Sequence, residues 1–317
     1  MKLVFLESEN LGDDIDLERF RDFGEVVIYE QTPLDRIKAR IADADVIILN
    51  KLPMNEQYLC DARNLKLICI TATGTNNVDF EYTDRAGIRV KNVSGYSTEA
   101  VVGHTFALAF YLLEHLNYYD EYVKSGAYCK SPSFTYFGKK FETLSELQWG
   151  IVGLGAIGRK VAQVAGVFGA KVVYYSTSGK NHSTDFEEVN FETLLRECDI
   201  ISVHAPLTPQ TENLFGEAEF RKMKKTAYFI NVGRGPIVNE EALKNALLQG
   251  EIAGAGLDVL SKEPMQEDNP LFEIKDSDKL IITPHIAWAA TSARKRLMDM
   301  VYENVKEYVR LPETTEP

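Results

Sequence analysis

The chain alternates short, uninterrupted apolar runs with stretches of helical periodicity, and it does so in two successive series. The first series is Leu3–Leu6, Val26–Tyr29, Val46–Leu49, Leu67–Ile70 and Ile88–Val90. The second begins at Trp149 and comprises Gly150–Val152, Val172–Tyr175, Ile200–Val203, Tyr228–Asn231, Gly254–Asp258 and Leu280–Ile282. A strand with no polar face is buried on both sides, as in a parallel sheet covered by helices. Strand–helix alternation therefore predicts a doubly wound α/β sheet for each series. A chain of 317 residues is long for one core, so two domains are expected.

The helical segments carry their own start and stop signals. Leu34–Ile41 is read as a helix with Thr32 as N-cap, Pro33 in the first position and Asp35 completing a capping box. Ser97 to Tyr122 reads as one long helix opened by Ser97 or Thr98, with Glu99 in its first turn. Further helices are Ile157–Phe168, Phe191–Glu197, Glu240–Leu248 (ending at Gly250) and Ala289–Arg310. The polar, aromatic stretch Ser125–Phe141 has little periodicity; a loop wrapping a second subunit is favoured over a solvated connector. The tail Leu311–Pro317 reads as disordered.

Composition is that of an ordinary globular protein, 45% hydrophobic and 26% charged. A net charge of −12 argues against nucleic-acid or anionic-membrane partners, which require basic surface. Cys60, Cys69, Cys129 and Cys198 show no metal-type spacing, so reduced thiols and no metal are expected. The most apolar stretch, Val101 to Leu116, is too short and too polar to span a bilayer. A cytoplasmic location follows as the expectation.

Gly153-Leu154-Gly155-Ala156-Ile157-Gly158 closes one predicted strand and opens a helix. That context fits a pyrophosphate held on backbone N–H groups at a helix N-terminus. A carboxylate reading the ribose 2′-hydroxyl of NAD belongs at the end of the next strand. Ser176-Thr177-Ser178-Gly179-Lys180 stands there instead, with no acid before Asp185. Lys180 and the three hydroxyls can bind a 2′-phosphate, which tilts the reading to NADP or use of both cofactors; Ser176 bonding the NAD ribose is the alternative.

Three more strand ends deliver polar residues. Arg234 lies between glycines in Asn231-Val232-Gly233-Arg234-Gly235; a guanidinium grips a carboxylate through two parallel hydrogen bonds. Glu263 precedes Pro264, and His285 follows Pro284. A carboxylate bonded to an imidazole favours the protonated ring, which can then protonate an alkoxide formed by hydride transfer. His104, His115, His182 and His204 have no such setting in the sequence and are assigned no chemistry.

Taken together, GLGAIG, HAPLTPQT (204–211), NVGRG, AGLDVLSKEP and TPHIAWA resemble the D-isomer-specific 2-hydroxyacid dehydrogenases, as do residues 71–79 and 92–100. The resemblance implies a Rossmann cofactor domain, 100–289, inserted into a flavodoxin-like substrate domain, 1–99 plus 290–317. It implies that Arg234 binds the keto-acid carboxylate and carbonyl, that His285 is the general acid–base, and that Glu263 tunes it. Backbone amides around Thr73 and Gly74 would hold the substrate carboxylate, and Asp258 the nicotinamide amide. Pro206, Thr211, Val232 and Gly233 join the glycine turn in the implied cofactor set. Ala287-Trp288-Ala289 and the GTNNVD segment look most like the glycerate dehydrogenases, also called hydroxypyruvate reductases. There Trp288 either limits the substrate to a small C2 substituent or packs at the hinge. Hydroxypyruvate or glyoxylate is the first expectation for the 2-keto acid, with pyruvate, a branched 2-keto acid or 3-phosphohydroxypyruvate as rivals. A cofactor-sensing protein like the family's corepressors is the rival of another class. A homodimer is expected from the family and from the apolar helix Val101–Leu113.

Overall fold

A computed structural model of the protein describes residues 1–310; residues 311–317, read above as disordered, lie outside the described residues. The chain divides into two compact units: Met1–Ser97 with the segment returning from Ala289, and Thr98–Trp288.

The first unit holds β1 (Lys2–Phe5), β2 (Glu25–Ile28), β3 (Val46–Leu49), β4 (Leu67–Ile70) and β5 (Arg89–Lys91). All pairings are parallel, in the order β2-β1-β3-β4-β5, which is the flavodoxin-like arrangement. β3 and β4 are buried at every residue, whereas the edge strands β2 and β5 carry exposed positions. The helices α1 (Ile37–Ile41), α2 (Glu56–Leu59) and α3 (Phe80–Arg85) are short. The predicted capping box at Thr32 does not form. Leu34–Arg36 is a 3-10 turn with Pro33 at its N-cap, and the Thr32 hydroxyl donates to the Leu6 carbonyl at 2.7 Å. Thr32 is buried, and satisfying its hydroxyl at the end of β1 outweighs capping.

The second unit holds β6 (Gln148–Val152), β7 (Lys171–Tyr175), β8 (Glu187–Glu188), β9 (Ile200–Val203), β10 (Tyr228–Asn231), β11 (Gly254–Leu257) and β12 (Leu280–Ile282). They are parallel in the order β12-β11-β10-β9-β6-β7-β8. Numbered within the unit, this is the Rossmann order with one added strand, and its switch point lies between β6 and β9. Helices α4 (Thr98–Leu113), α5 (Leu116–Lys124), α6 (Ala156–Val167), α7 (Phe191–Glu197), α8 (Glu217–Lys222) and α9 (Glu240–Gln249) accompany it. α4 and α6 cover the face bearing Trp149, Ile151 and Ile230, and the face bearing Val152, Ile201 and Phe229 packs against the other core cluster. Two covered faces explain why the strands read as continuous apolar runs. The last helix, α10 (Thr291–Arg310), buries Leu297, Met298, Val301 and Val305 in the first unit.

The long helix read over Ser97–Tyr122 is broken. α4 ends at Leu113, His115 turns left-handed (φ 51°), and α5 restarts at Leu116. Histidine is among the residues that tolerate this conformation. The apolar pattern buried against the sheet stops at Leu113, and α5 buries no residue, so the chain has no reason to continue along the core. The Ser125–Phe141 stretch folds back on α5: Tyr136 stacks on Tyr122 at 3.9 Å, and its hydroxyl meets that of Tyr118 at 2.9 Å. Phe134 and Phe137 are left 90% and 85% exposed. Among the described residues, no helix is long and apolar enough to cross a membrane.

α4 lies unusually close to β11. A Cβ on Gly256 would fall 3.0 Å from Leu108 Cβ, and one on Gly254 would fall 3.4 Å from Leu112 Cδ2. The missing side chains in β11 are what let the helix settle there.

Candidate active site

Three neighbouring strands end together, with Asn231 paired to Leu257 and Leu257 to Ile282. Their carboxyl ends lead into the segments bearing Arg234, Asp258 with Glu263, and His285. Asn231 shapes the first segment: its side chain donates to the Arg234 carbonyl at 3.0 Å and accepts the Gly233 amide at 3.0 Å. Arg234 is half-buried, with Nη1 donating to the Gly233 carbonyl at 2.8 Å. Arg234 makes no ion pair among the described residues, which leaves most of its fork for a ligand. A Cβ on Gly235 would lie 2.0 Å from the Leu260 carbonyl, so glycine is required where this turn packs on the segment after β11.

His285 Nδ1 donates to Glu263 Oε2 at 2.7 Å, and the other carboxylate oxygen accepts the Leu260 amide at 2.9 Å. The side chains are 30% and 34% exposed. The carboxylate fixes the proton on Nδ1 and leaves Nε2, which has no hydrogen-bond partner among the described residues, for a reacting group. His285 itself is left-handed, with φ 55°.

Asp258 is 1% exposed, and it grips the His285 segment. Its backbone carbonyl accepts the His285 amide at 2.9 Å. Oδ1 accepts the Ile286 amide at 2.9 Å and the Thr283 hydroxyl at 2.6 Å; Oδ2 accepts the Ala287 amide at 2.8 Å. Oδ2 keeps a lone pair for one further donor.

The glycine turn has the expected form. Gly153 is left-handed at φ 92°, and a Cβ on Gly158 would fall 2.1 Å from the Gly153 carbonyl oxygen. Around Gly155, at the N-cap of α6, a Cβ would meet nothing within 4 Å among the described residues. Among the described residues no side chain caps α6, so its first amides remain available to an anion. Ala156 is exposed and Ile157 half-buried on its first turn. Past β7, the Ser176 hydroxyl is buried and has no hydrogen-bond partner among the described residues. Thr177 is half-buried, the Ser178 hydroxyl accepts the Lys180 amide at 3.2 Å, and Lys180 is exposed. The open space at Gly155 and the orphaned Ser176 hydroxyl both fit a dinucleotide. The Thr211 hydroxyl closes its own loop by donating to the Pro206 carbonyl at 2.7 Å. Val232 is buried and Gly233 half-buried at the end of β10. Trp288 is half-buried against the α4–α6 core.

In the first unit, Thr73 and Gly74 follow β4, and Asn92 Nδ2 holds the Thr73 carbonyl at 2.7 Å. Glu7 Oε2 accepts the amides of Asn50, Lys51 and Leu52 at 2.8, 2.9 and 3.2 Å, a clasp not read from the sequence.

Three histidines assigned no chemistry turn out to sit in hydrogen-bond networks. His104 Nε2 meets the Thr283 hydroxyl at 2.8 Å. His182 bonds Glu188 at 2.8 Å and the Gly179 carbonyl at 3.0 Å, and the Glu188 hydrogen bond raises its pKa. Trp149 Nε1 donates to Ser202 Oγ, which meets His204 Nε2 at 2.9 Å. Burial of the His204 ring pushes it down to about 3, although the residue as a whole is only half-buried. Cys69 and Cys198 are buried free thiols, each pushed up to about 12 by desolvation. No cluster that could hold a metal ion occurs among the described residues.

Residues 106–287 match the model of the D-isomer specific 2-hydroxyacid dehydrogenase NAD binding domain. Over 98% of both chains, the protein is 38% identical to a putative 2-hydroxyacid dehydrogenase of Haemophilus influenzae. It is 34% identical to a hydroxypyruvate reductase of Blautia hydrogenotrophica, covering 98% of this chain and 97% of that one. Identity to a glycerate dehydrogenase of Methylorubrum extorquens is 37%, covering 97% and 96%. Among solved structures, an acyclic imino acid reductase in complex with NADPH and D-Arg superposes with TM-score 0.86 at 27% identity, covering 98% and 97%. A D-lactate dehydrogenase from Aquifex aeolicus, complexed with NAD and lactic acid, does so with TM-score 0.83 at 27% identity, covering 98% and 96%.

Proposed function

The chain belongs to the D-isomer-specific 2-hydroxyacid dehydrogenase family, and we propose that this oxidoreductase reduces a small 2-keto acid, hydroxypyruvate or glyoxylate first, to the D-2-hydroxy acid. The observation that carries the reading is the 2.7 Å bond from His285 Nδ1 to Glu263, with Nε2 left for the substrate. The nicotinamide cofactor supplies the hydride. Protonated His285 gives its Nε2 proton to the carbonyl oxygen as that oxygen gains negative charge, and in the reverse direction the neutral ring takes the hydroxyl proton. Glu263 stabilises the ring while it is positive. Positioned acid–base catalysis of this kind contributes typically ~10²–10⁴-fold. Arg234 orients the substrate by a bidentate grip on its carboxylate.

The turn 153–158 is assigned to the pyrophosphate, with Val232, Gly233, Pro206 and Thr211 around the cofactor and Asp258 Oδ2 on the nicotinamide amide. Ser176, Thr177, Ser178 and Lys180 offer hydroxyls and a cation without a carboxylate, which supports NADPH or use of both cofactors. Trp288 is assigned to the rim of the substrate pocket. For a second copy of the chain, α4 offers little, since its apolar residues are buried in its own unit. The exposed Phe134 and Phe137 are the better seat in a homodimer.

Initial rates over a panel of 2-keto acids with NADH and NADPH test the reading, with His285→Ala as control. Highest kcat/KM for hydroxypyruvate or glyoxylate, abolished in the variant, is expected. Binding of cofactor without turnover of any 2-keto acid would replace the enzyme with a cofactor-sensing protein.

A further inference from the structure

α4 and β11 run alongside each other in a matched register. Leu112 lies over Gly254 and Leu108 over Gly256. Four residues of helix rise ~6 Å and two residues of strand ~6.6 Å, so one more step puts His104 level with Asp258. The contacts agree: His104 Nε2 is 2.8 Å from Thr283 Oγ1 and 3.5 Å from Asp258 Oδ1.

The protons in this chain can be assigned. A carboxylate only accepts, so the 2.6 Å contact takes the single Thr283 hydroxyl proton to Asp258 Oδ1. The alternative acceptor, the Leu257 carbonyl, is 3.4 Å away. Thr283 Oγ1 then accepts, and His104 must carry its proton on Nε2. His104 donates to Thr283, and Thr283 donates to Asp258. Asp258 in turn holds the amides of Ile286 and Ala287 on its side chain and that of His285 on its carbonyl. Those amides are at and within two residues after His285, which is in the left-handed conformation that a non-glycine residue keeps only when its surroundings over-determine it.

We propose that His104 and Thr283 are positioning residues for the acid–base histidine, acting through the buried carboxylate of Asp258. Without the Thr283 hydroxyl, Oδ1 loses its shortest donor and is free to rotate off the Ile286 amide. The His285 backbone then relaxes and the ring leaves its line with Glu263. This inference rests on the acid–base role of His285 proposed above.

The test compares Thr283→Val, Thr283→Ser, His104→Leu, His104→Gln and the double variant His104→Leu/Thr283→Val. Misplacing a reacting group by about 1 Å costs up to ~10²-fold, so Thr283→Val and His104→Leu should lower kcat by 10- to 100-fold with little change in KM. Proton delivery becomes limiting, so the solvent deuterium isotope effect on kcat should rise; a loss of folded protein alone would leave it unchanged. Thr283→Ser and His104→Gln, which keep the donors, should recover most of the rate. The double variant should be no slower than the worse single one, because the residues act in series. Unchanged kcat and isotope effect in Thr283→Val, or additive losses in the double variant, would overturn the proposal. Amide hydrogen exchange at residues 285–287 decides it independently of turnover. Faster exchange in Thr283→Val than in wild type or Thr283→Ser supports the clasp even if no 2-keto acid is reduced, and equal exchange refutes it.

Discussion

Replacing Gly155 and Gly158 by alanine, one at a time, separates the two tasks of the phosphate turn. At Gly158 the added methyl would sit 2.1 Å from a backbone carbonyl oxygen, which cannot swing aside as a flexible side chain can. Such contacts essentially never fall below 3.0 Å, so α6 has to back away by roughly 1 Å. That shift loosens Val161, Ala162 and Ala165, all fully buried. Overpacking costs about 1–3 kcal/mol, with a backbone atom placing this case at the upper end; the better helix preference of alanine returns about 1 kcal/mol. The net loss is then about 2 kcal/mol, which for a unit of this size lowers Tm by roughly 4–8 °C. Gly155→Ala is the opposite case. Its φ of −74° suits alanine, and among the described residues its methyl meets no atom within 4 Å. A poorer N-cap and a less flexible unfolded chain each count for under about 1 kcal/mol and oppose each other. Stability should therefore stay level. The methyl instead fills the space assigned to the pyrophosphate, and losing a charge-assisted hydrogen bond of ~1.5–3 kcal/mol weakens binding by roughly 10- to 100-fold. NADH fluorescence titration and thermal unfolding read the two effects separately. Wild-type affinity in Gly155→Ala would remove the turn from the cofactor site. Wild-type Tm in Gly158→Ala would refute the packing reasoning.

Arg234→Lys keeps the charge and loses the fork, so kcat/KM should fall by at least ~10-fold, the worth of about 1.4 kcal/mol; near-normal kinetics would exclude bidentate binding. Glu263→Gln keeps an acceptor for the Leu260 amide but replaces a charge-assisted bond to His285 with a neutral one, a change of about 1–2 kcal/mol, so kcat should drop roughly 5- to 30-fold with Tm preserved. Ser176→Asp puts a carboxylate where a 2′-phosphate would lie; NADPH binding should weaken far more than NADH binding, and equal effects would argue against the cofactor assignment. His182 and Glu188 clasp the loop after β7, and each one's shift is caused first by the hydrogen bond to the other. The raised His182 contributes fully below its ordinary 6.5 and fades as pH rises through its folded value; the lowered Glu188 contributes fully above its ordinary 4.5 and fades as pH falls through its folded value. Protection of the Ser183 amide from exchange, corrected for intrinsic rate, should peak between those limits, and a flat profile would show that the pair does not hold the loop.

The strands that were easiest to read are those buried on both faces. Val46–Leu49, Leu67–Ile70, Ile200–Val203 and Tyr228–Asn231 appear with the bounds read from sequence, as does the edge strand Leu280–Ile282, which is only partly buried. β8 escaped notice because Glu187–Glu188 is an exposed edge with no apolar signal. α3 buries only Thr83, so it lacks an apolar stripe. The break at His115 and the diverted Thr32 hydroxyl were invisible because tertiary context overrides local helix signals. The same contrast holds at the site. Glu263 and His285 stand out through their strand-end motifs, whereas His104 meets Thr283 across 179 residues. Its only trace in sequence is a stripe of Leu112, Leu108 and His104 facing the alternating glycines of β11, and that pairing shows itself only once the two elements are seen side by side.

The return of α10 to the first unit bears on how the protein is born. A chain emerging from the ribosome makes β1 to β5 early, but the helix that packs Leu297, Met298, Val301 and Val305 into their unit is translated only after the whole inserted unit. The inserted unit, Thr98–Trp288, is continuous in sequence and can close its core while synthesis is still under way. The N-terminal sheet must therefore wait through the synthesis of its neighbour with an apolar flank uncovered, which makes it the segment most in need of chaperone shelter during translation.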